Sequence, residues 1–280
     1  MRVWVTGGCG FLGRQIVAAL ARQGAEPVCM TVDLLDPIAR HRAVAACGAP
    51  VLVHGAWVTR HGAYWDSPDN LDWCAATLDL LRGFAAQGGR RVVLVGSCAE
   101  YDWQRPARTP WRETRACRPA SLYGAAKLAA WIAGAAFARQ AGMSAACARV
   151  FIPVGCGEQP GRLLPSLLRA ARTGVAVALG PADLTRDLMD VRDAGAAIAA
   201  LALSGAQGVV NIGSGQGVTL GELARRVRAP VTFGKQAGRP GEPMWMVADI
   251  TRLRRVTGFI PRHDLTDTIA AAAACLQAAA

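Results

Sequence analysis

At 280 residues the chain is long enough to bury one large α/β core, or such a core with a smaller companion. Its 52% hydrophobic and 18% charged content exclude a disordered chain, and its apolar stretches, the Ala-rich segment 269–280 included, are too short to span a bilayer. The net charge of +11 comes from 29 arginines and only two lysines spread along the whole length, without a basic block interleaved with aromatics; this argues against nucleic acid as a partner and reads first as a compositional Arg-for-Lys bias with a generally basic surface, with attraction of small polyanions such as nucleotides as the sharper alternative.

Residues 2–6 form a short apolar run, and Gly7 to Gly13 then lead into a stretch of helical periodicity reaching about Arg22, which reads as strand, tight turn, helix. No apolar run with a cleavage site precedes it, so the chain is expected in the cytoplasm. Further apolar runs at 28–32, 51–55, 91–96 and 146–152 alternate with helical patterns near 38–47, 70–86, 120–141 and 163–173. Such alternation predicts a doubly wound, mostly parallel sheet of the α/β class. Beyond about Phe151, glycine and proline clusters mark loops, while a strand at 208–213 and a helix at 190–203 are expected to return to the sheet. The nine cysteines occur singly, without a C-x-x-C pair, and read as reduced thiols with no structural metal site.

The glycines at 7, 10 and 13 fall directly after the first strand and open the first helix. There backbone must approach a pyrophosphate closely, and the helix N-terminus offers unpaired N–H groups to it, so Gly7, Gly10, Phe11, Leu12 and Gly13 are candidate cofactor-binding residues of a Rossmann-type fold. No acid stands at the end of the second strand, where Thr31 falls, and Arg14, Arg40 or Arg42 can meet a ribose 2′-phosphate; NADP(H) is therefore favoured over NAD(H).

Tyr123 and Lys127 are four residues apart in a helical stretch and share one face of it. An ammonium beside a phenol favours the phenolate, which is expected to lower the tyrosine pKa toward operating pH. Ser97 closes the fourth strand, where a strand C-terminus faces the binding crevice, and its hydroxyl can hydrogen-bond a substrate oxygen. Ser97, Tyr123 and Lys127 are the candidate catalytic residues.

The spacing T-G-x-x-G-x-x-G together with Tyr123-x-x-x-Lys127 resembles the extended short-chain dehydrogenase/reductase family, the branch of nucleotide-sugar epimerases, dehydratases and 4-ketoreductases. By this resemblance Asp33 and Leu34 hold adenine, His54 and Ala56 (in His54-Gly55-Ala56-Trp57) lie beside the cofactor, and Phe151 joins them. Tyr101 takes the S-x-x-x-Y position over substrate. Arg186 and Arg239 resemble the arginines that meet a nucleotide diphosphate and Glu242 the acid that meets the nucleoside, with Arg162 a further substrate candidate. Glu100 and Asp102 have no partner visible in sequence. Two departures count against a 4-epimerase: Ile152 stands where an R-x-F-N segment has asparagine, and Trp73 stands where a helix asparagine is usual.

The resemblance implies a dinucleotide-binding domain of residues 1–152 plus about 186–214, and a smaller, interleaved C-terminal substrate domain of about 153–185 and 215–280. It further implies a nucleotide-diphosphate sugar substrate, a homodimer formed through the helices near 70–86 and 120–141, and reduction of a 4-keto-6-deoxyhexose with 4-epimerisation as the alternative; a non-catalytic dinucleotide-binding regulator is the third reading, against which intact Ser97, Tyr123 and Lys127 argue.

Overall fold

Strands and helices alternate from the first residues onward. The computed structural model describes residues 1–60, 62–105, 108–235 and 241–278. In chain order they form β1 (Arg2–Thr6), α1 (Phe11–Arg22), β2 (Glu26–Val28), α2 (Pro37–Cys47), β3 (Val51–His54), α3 (Asp69–Ala86), β4 (Arg91–Ser97), α4 (Leu122–Gln140) and β5 (Ser144–Val150). There follow β6 (Ile152–Val154), α5 (Leu163–Thr173), β7 (Val177–Ala178), β8 (Thr185–Asp190), α6 (Val191–Leu203), β9 (Gly208–Ile212), β10 (Gly217–Thr219), α7 (Leu220–Val227), β11 (Val231–Thr232), β12 (Trp245–Met246), α8 (Thr251–Thr257) and α9 (Leu265–Ala278).

Local chemistry sets several of these boundaries. The Asp36 carboxylate caps α2 by accepting from the Ile38 amide at 2.9 Å, with Pro37 in the first turn and Gly48 left-handed after the last. The Ser121 hydroxyl caps α4 by accepting from the Gly124 amide at 3.2 Å, which puts Tyr123 in the first turn and Lys127 one turn on.

Six strands pair in the order β2-β1-β3-β4-β5-β9, all parallel. Each inner strand is buried on both faces. Val3, Val5, Val51, Val53 and Val93 face a core shared with Ile16 and Leu20 of α1 and Ile198 and Leu201 of α6. Trp4, Leu52, Val92 and Leu94 face the opposite core, with Val44 of α2 and Leu80, Leu81 and Phe84 of α3. The strand order reverses at β1, so the crevice at a topological switch point lies beyond the carboxyl ends of β1 and β3.

A second sheet runs β10-β8-β12, with β6 also paired to β8. Leu164 and Leu167 of α5, Leu223 of α7 and Ala272 of α9 pack with Leu188 of β8 in a separate core. Two sequence expectations need correction. The second strand ends at Val28 rather than at 32, since its last ladder pair is with Trp4, and Thr31 lies beyond it. The cysteines are not all free thiols: Cys156 and Cys275, 119 residues apart, are joined in a disulfide that ties α9 to the loop after β6. Their spacing carried no sign of this, because α9 brings them together only in the folded chain.

Candidate active site

The glycine turn is built for close approach. Gly7 has φ +69°, and a Cβ on it would meet the Ala56 amide nitrogen at 2.8 Å; a Cβ on Gly13 would overlap the Gly7 carbonyl oxygen. Gly10 is the residue before α1, whose first turn carries no acid, so its free N–H groups keep their positive end unopposed. The Thr6 hydroxyl accepts from the Ala56 amide at 3.3 Å and draws the end of β3 against the turn. A cradle that only hydrogen side chains fit, at a helix N-terminus and a switch point, suits the pyrophosphate of a dinucleotide.

Around this cradle the structure distributes the other cofactor candidates unevenly. Phe11 and Leu12 begin α1 half-buried, and exposed Arg14 donates to the Gly157 carbonyl at 3.3 Å, bridging the turn to the loop after β6. Thr31 Oγ1 lies 3.7 Å from the Cys9 sulfur in the turn itself. Asp33 accepts from the Leu35 amide at 2.9 Å, and Leu34 is buried. Arg40 is not available to a phosphate, because it is buried and donates to Asp79 at 2.7 and 2.8 Å and to the Leu34 carbonyl at 2.6 Å. His54 is a strut: its ring bonds the Thr6 hydroxyl at 2.7 Å and the Thr77 hydroxyl at 2.9 Å. Burial, then the Lys127 charge, pushes its pKa down to about 3, so the imidazole is neutral.

Ser97, Tyr123 and Lys127 converge at the end of β4. Ser97 closes the strand, and its amide is held by the Glu100 carboxylate at 2.7 Å in a reciprocal cap whose other half is the Ser97 hydroxyl accepting from Ala99 at 3.2 Å. The Tyr123 amide donates to the Trp65 carbonyl at 2.9 Å. Burial first, then the neighbouring Tyr64, holds the Tyr123 phenol above its ordinary range, while the Ser97 side chain pulls it down. This corrects the expected depression by lysine: Lys127 Nζ turns instead to the Val95 carbonyl at 2.9 Å and the Trp57 ring at 4.0 Å. Burial is the main reason that Lys127 is itself lowered to about 8.

An aromatic wall surrounds the phenol. Tyr64 meets the Tyr123 ring edge-on at 4.9 Å, Trp65 meets it at 5.6 Å, and Trp103 meets Trp65 at 5.7 Å. Arg162, at the start of α5, sets its guanidinium 5.3 Å from the Tyr64 centroid, so this substrate candidate does reach the neighbourhood of Tyr123. Tyr64, Trp65 and Trp57 were not singled out from sequence. Their one visible signal was Trp57 itself, a large ring in a segment that resembles H-x-A-A.

Other candidates belong elsewhere. Tyr101 does not lie over substrate: it is fully buried, donates to Asn211 Oδ1 at 2.7 Å and packs on Trp111, with Arg149 over its ring at 4.4 Å. Phe151 is buried beside it rather than open to cofactor. Arg186 and Glu242 pair with each other at 2.7 Å, and Arg186 also donates to the Pro243 and Thr185 carbonyls at 2.8 Å, so this buried guanidinium clamps β8 to the 242–243 loop instead of meeting phosphate. Arg239 lies outside the described residues. Trp73 stacks on Trp57 at 6.2 Å and 30°. Among the described residues no group of three or more His, Cys, Asp or Glu is placed to hold a metal ion, and no helix is long and apolar enough to cross a membrane.

Residues 3–213 match the NAD dependent epimerase/dehydratase family, and the chain belongs to it. It is 29% identical to a dTDP-6-deoxy-L-talose 4-dehydrogenase (NAD(P)(+)) of Kitasatospora kifunensis, over 96% of this chain and 93% of the relative. It is 26% identical to a UDP-glucose 4-epimerase of Azospirillum brasilense, over 96% and 89%. The solved structure of MoeE5 in complex with UDP-glucose and NAD superposes with a TM-score of 0.85 at 25% identity, covering 100% of this chain and 99% of that one.

Proposed function

We propose that this member of the family is an NAD(P)H-dependent reductase of a nucleotide-diphospho-4-keto-6-deoxyhexose. The observation that carries the reading is the convergence of Ser97 and Tyr123 beside a glycine cradle, with the Lys127 ammonium one helical turn away. A bound nicotinamide dinucleotide supplies the hydride for the keto carbon. Tyr123 Oη gives its proton to the oxygen of that carbon, and Ser97 Oγ hydrogen-bonds the same oxygen as charge develops on it. Lys127 holds positive charge one helical turn from the phenol; its Nζ, which the family resemblance puts on the nicotinamide ribose, here meets the Val95 carbonyl and the Trp57 ring instead. The six-stranded sheet serves as the cofactor-binding part and the smaller sheet with α5, α7 and α9 as the substrate part.

One feature favours reduction over epimerisation: an epimerase must let its keto-sugar turn over within the site, and Tyr64, Trp65 and Trp103 crowd the space next to Tyr123. For the cofactor, exposed Arg14 beside the glycine turn and exposed Arg42 on α2 support NADP(H). A homodimer through α3 and α4 fits Leu71 and Ile132, each 59% exposed on those helices.

The test is to supply nucleotide-4-keto-6-deoxyhexoses with NADPH or NADH, and to identify by mass spectrometry the small molecules released on denaturing the purified protein. One reduced cofactor consumed per hydroxylated product supports the proposal. Redox-neutral turnover of a nucleotide hexose by protein that retains NAD would replace it with the epimerase.

A further inference from the structure

Lys127 is one of only two lysines in the chain, and its ammonium is enclosed. Nζ lies 4.0 Å from the centroid of the Trp57 ring and donates to the Val95 carbonyl at 2.9 Å, with the residue only 7% exposed. A cavity of about 10 Å³ beside it, lined by His54, Trp57, Thr77, Val95 and Cys147 among others, is at the lower limit for a single water. Bulk solvent therefore contributes little to the ammonium, and the indole face and the carbonyl carry its solvation.

Trp57 is rigidly mounted for this task. Its Nε1 donates to Asn70 Oδ1 at 2.9 Å, and the Asn70 amide donates in turn to the Tyr64 carbonyl at 2.7 Å and the Ser67 carbonyl at 2.8 Å. Asn70 is fully buried. The indole also stacks on Trp73 from α3. A desolvated ammonium gains most from a tryptophan face, whose quadrupole presents negative potential.

We propose that Trp57 is a positioning residue: its indole face and the Val95 carbonyl together hold the buried Lys127 ammonium, charged and in one place, a turn from Tyr123. This rests on the reading of Lys127 as the lysine of the proposed reduction. The titratable groups that act on the ammonium are Glu100 beyond β4 and Cys147 on β5, which favour its charge, and His54 on β3, which stays neutral. Burial opposes them all, and it is against burial that the indole works.

The scarcity of lysine makes the test direct. Biosynthetic ¹³Cε-lysine labelling gives two resonances, Lys127 and exposed Lys235, the second serving as internal reference. In Trp57→Leu, which keeps apolar bulk without a π face, the Lys127 titration midpoint is expected to fall by roughly one pH unit. In Trp57→Phe it falls by less, Lys235 does not move, and the alkaline limb of kcat/KM shifts by the same amounts. Should Trp57→Leu fail to fold, Trp57→Met, equally without a π face, takes its place beside Trp57→Phe. An unmoved Lys127 midpoint in the folded variant overturns the proposal, as do equal shifts in Phe and Leu, which would assign the effect to lost packing or to the lost bond with Asn70. The titration needs no substrate, so failure of the reductase reading leaves this outcome intact and separately legible.

Discussion

One carboxylate oxygen of Glu100 accepts the backbone N–H of Ser97 at 2.7 Å, while the other is gripped by Arg149 from β5 at 2.7 and 2.9 Å. Both residues are buried, at 0% and 1% exposure. The serine at the end of β4 is thus set by an ion pair that spans two strands, and the pair stacks on Tyr101. Breaking such a pair leaves a buried charge uncompensated, whereas replacing both partners removes the desolvation cost as well.

Glu100→Leu is accordingly expected to lose about 3–5 kcal/mol of stability in urea unfolding. Glu100→Leu combined with Arg149→Leu should recover a large part of it, yet keep a lowered kcat, because Ser97 loses its acceptor in both. A double variant no more stable than the single would show that Arg149 is satisfied without Glu100.

Much of this arrangement was legible before folding. Glycine spacing identified the cradle, and the capped helix that opens at Leu122 put Tyr123 and Lys127 on one face, since both depend on contacts only a few residues apart. Arg186, Glu242 and Tyr101 were misread, because their partners lie 56, 56 and 110 residues away and spacing is silent about them. The same holds for Glu100, which had no visible partner until β5 delivered Arg149. Trp57 announced itself only as an oversized residue in a small-residue position.

Tyr123→Phe removes the proton donor and leaves the glycine cradle untouched. Its kcat is expected to fall by about 10²–10⁴-fold, with dinucleotide affinity unchanged when followed by fluorescence titration. Reduction needs the phenol protonated, and burial holds that proton above the ordinary tyrosine range. The alkaline loss of kcat/KM should therefore track Lys127, setting in as pH rises through about 8, and not Tyr123. A limb beyond the ordinary tyrosine range, with none near 8, would remove Lys127 from this role.

Arg162 and Arg186 should separate cleanly. Arg162→Ala, beside the Tyr64 ring, is expected to raise KM for the nucleotide sugar about tenfold or more, as for loss of a charge-assisted hydrogen bond, with thermal stability near wild type. Arg186→Ala should instead cost about 2–3 kcal/mol of stability by removing the ion pair with Glu242 and the donor to the Pro243 carbonyl. A stable Arg186→Ala protein with a selectively raised KM would return that residue to the substrate.

The proposed dimer makes its own demand. Ile132 and Leu71 are exposed large apolar side chains on α4 and α3, and burying them against a second copy would account for both. Ile132→Asp should shift the mass measured by light scattering from dimer to monomer. A wild-type chain that is already monomeric at high concentration would end the proposal.

His54 ties pH to stability. Its pKa is 6.5 in the ordinary state and about 3 when folded, because burial and then the Lys127 charge disfavour the imidazolium. The unfolded chain therefore binds the extra proton first. The stability associated with neutral His54 is complete above pH 6.5, falls as the pH drops from there toward 3, and levels off below, a loss of up to about 5 kcal/mol from this residue. His54→Gln lacks the titration and can still bond one of the two hydroxyls. It should be less stable at pH 7 but show a shallower acid slope by about one proton, read from urea midpoints across that window. Parallel slopes for the two proteins would mean that His54 is protonated in the fold, and the strut between Thr6 and Thr77 would have to be drawn with a charged ring.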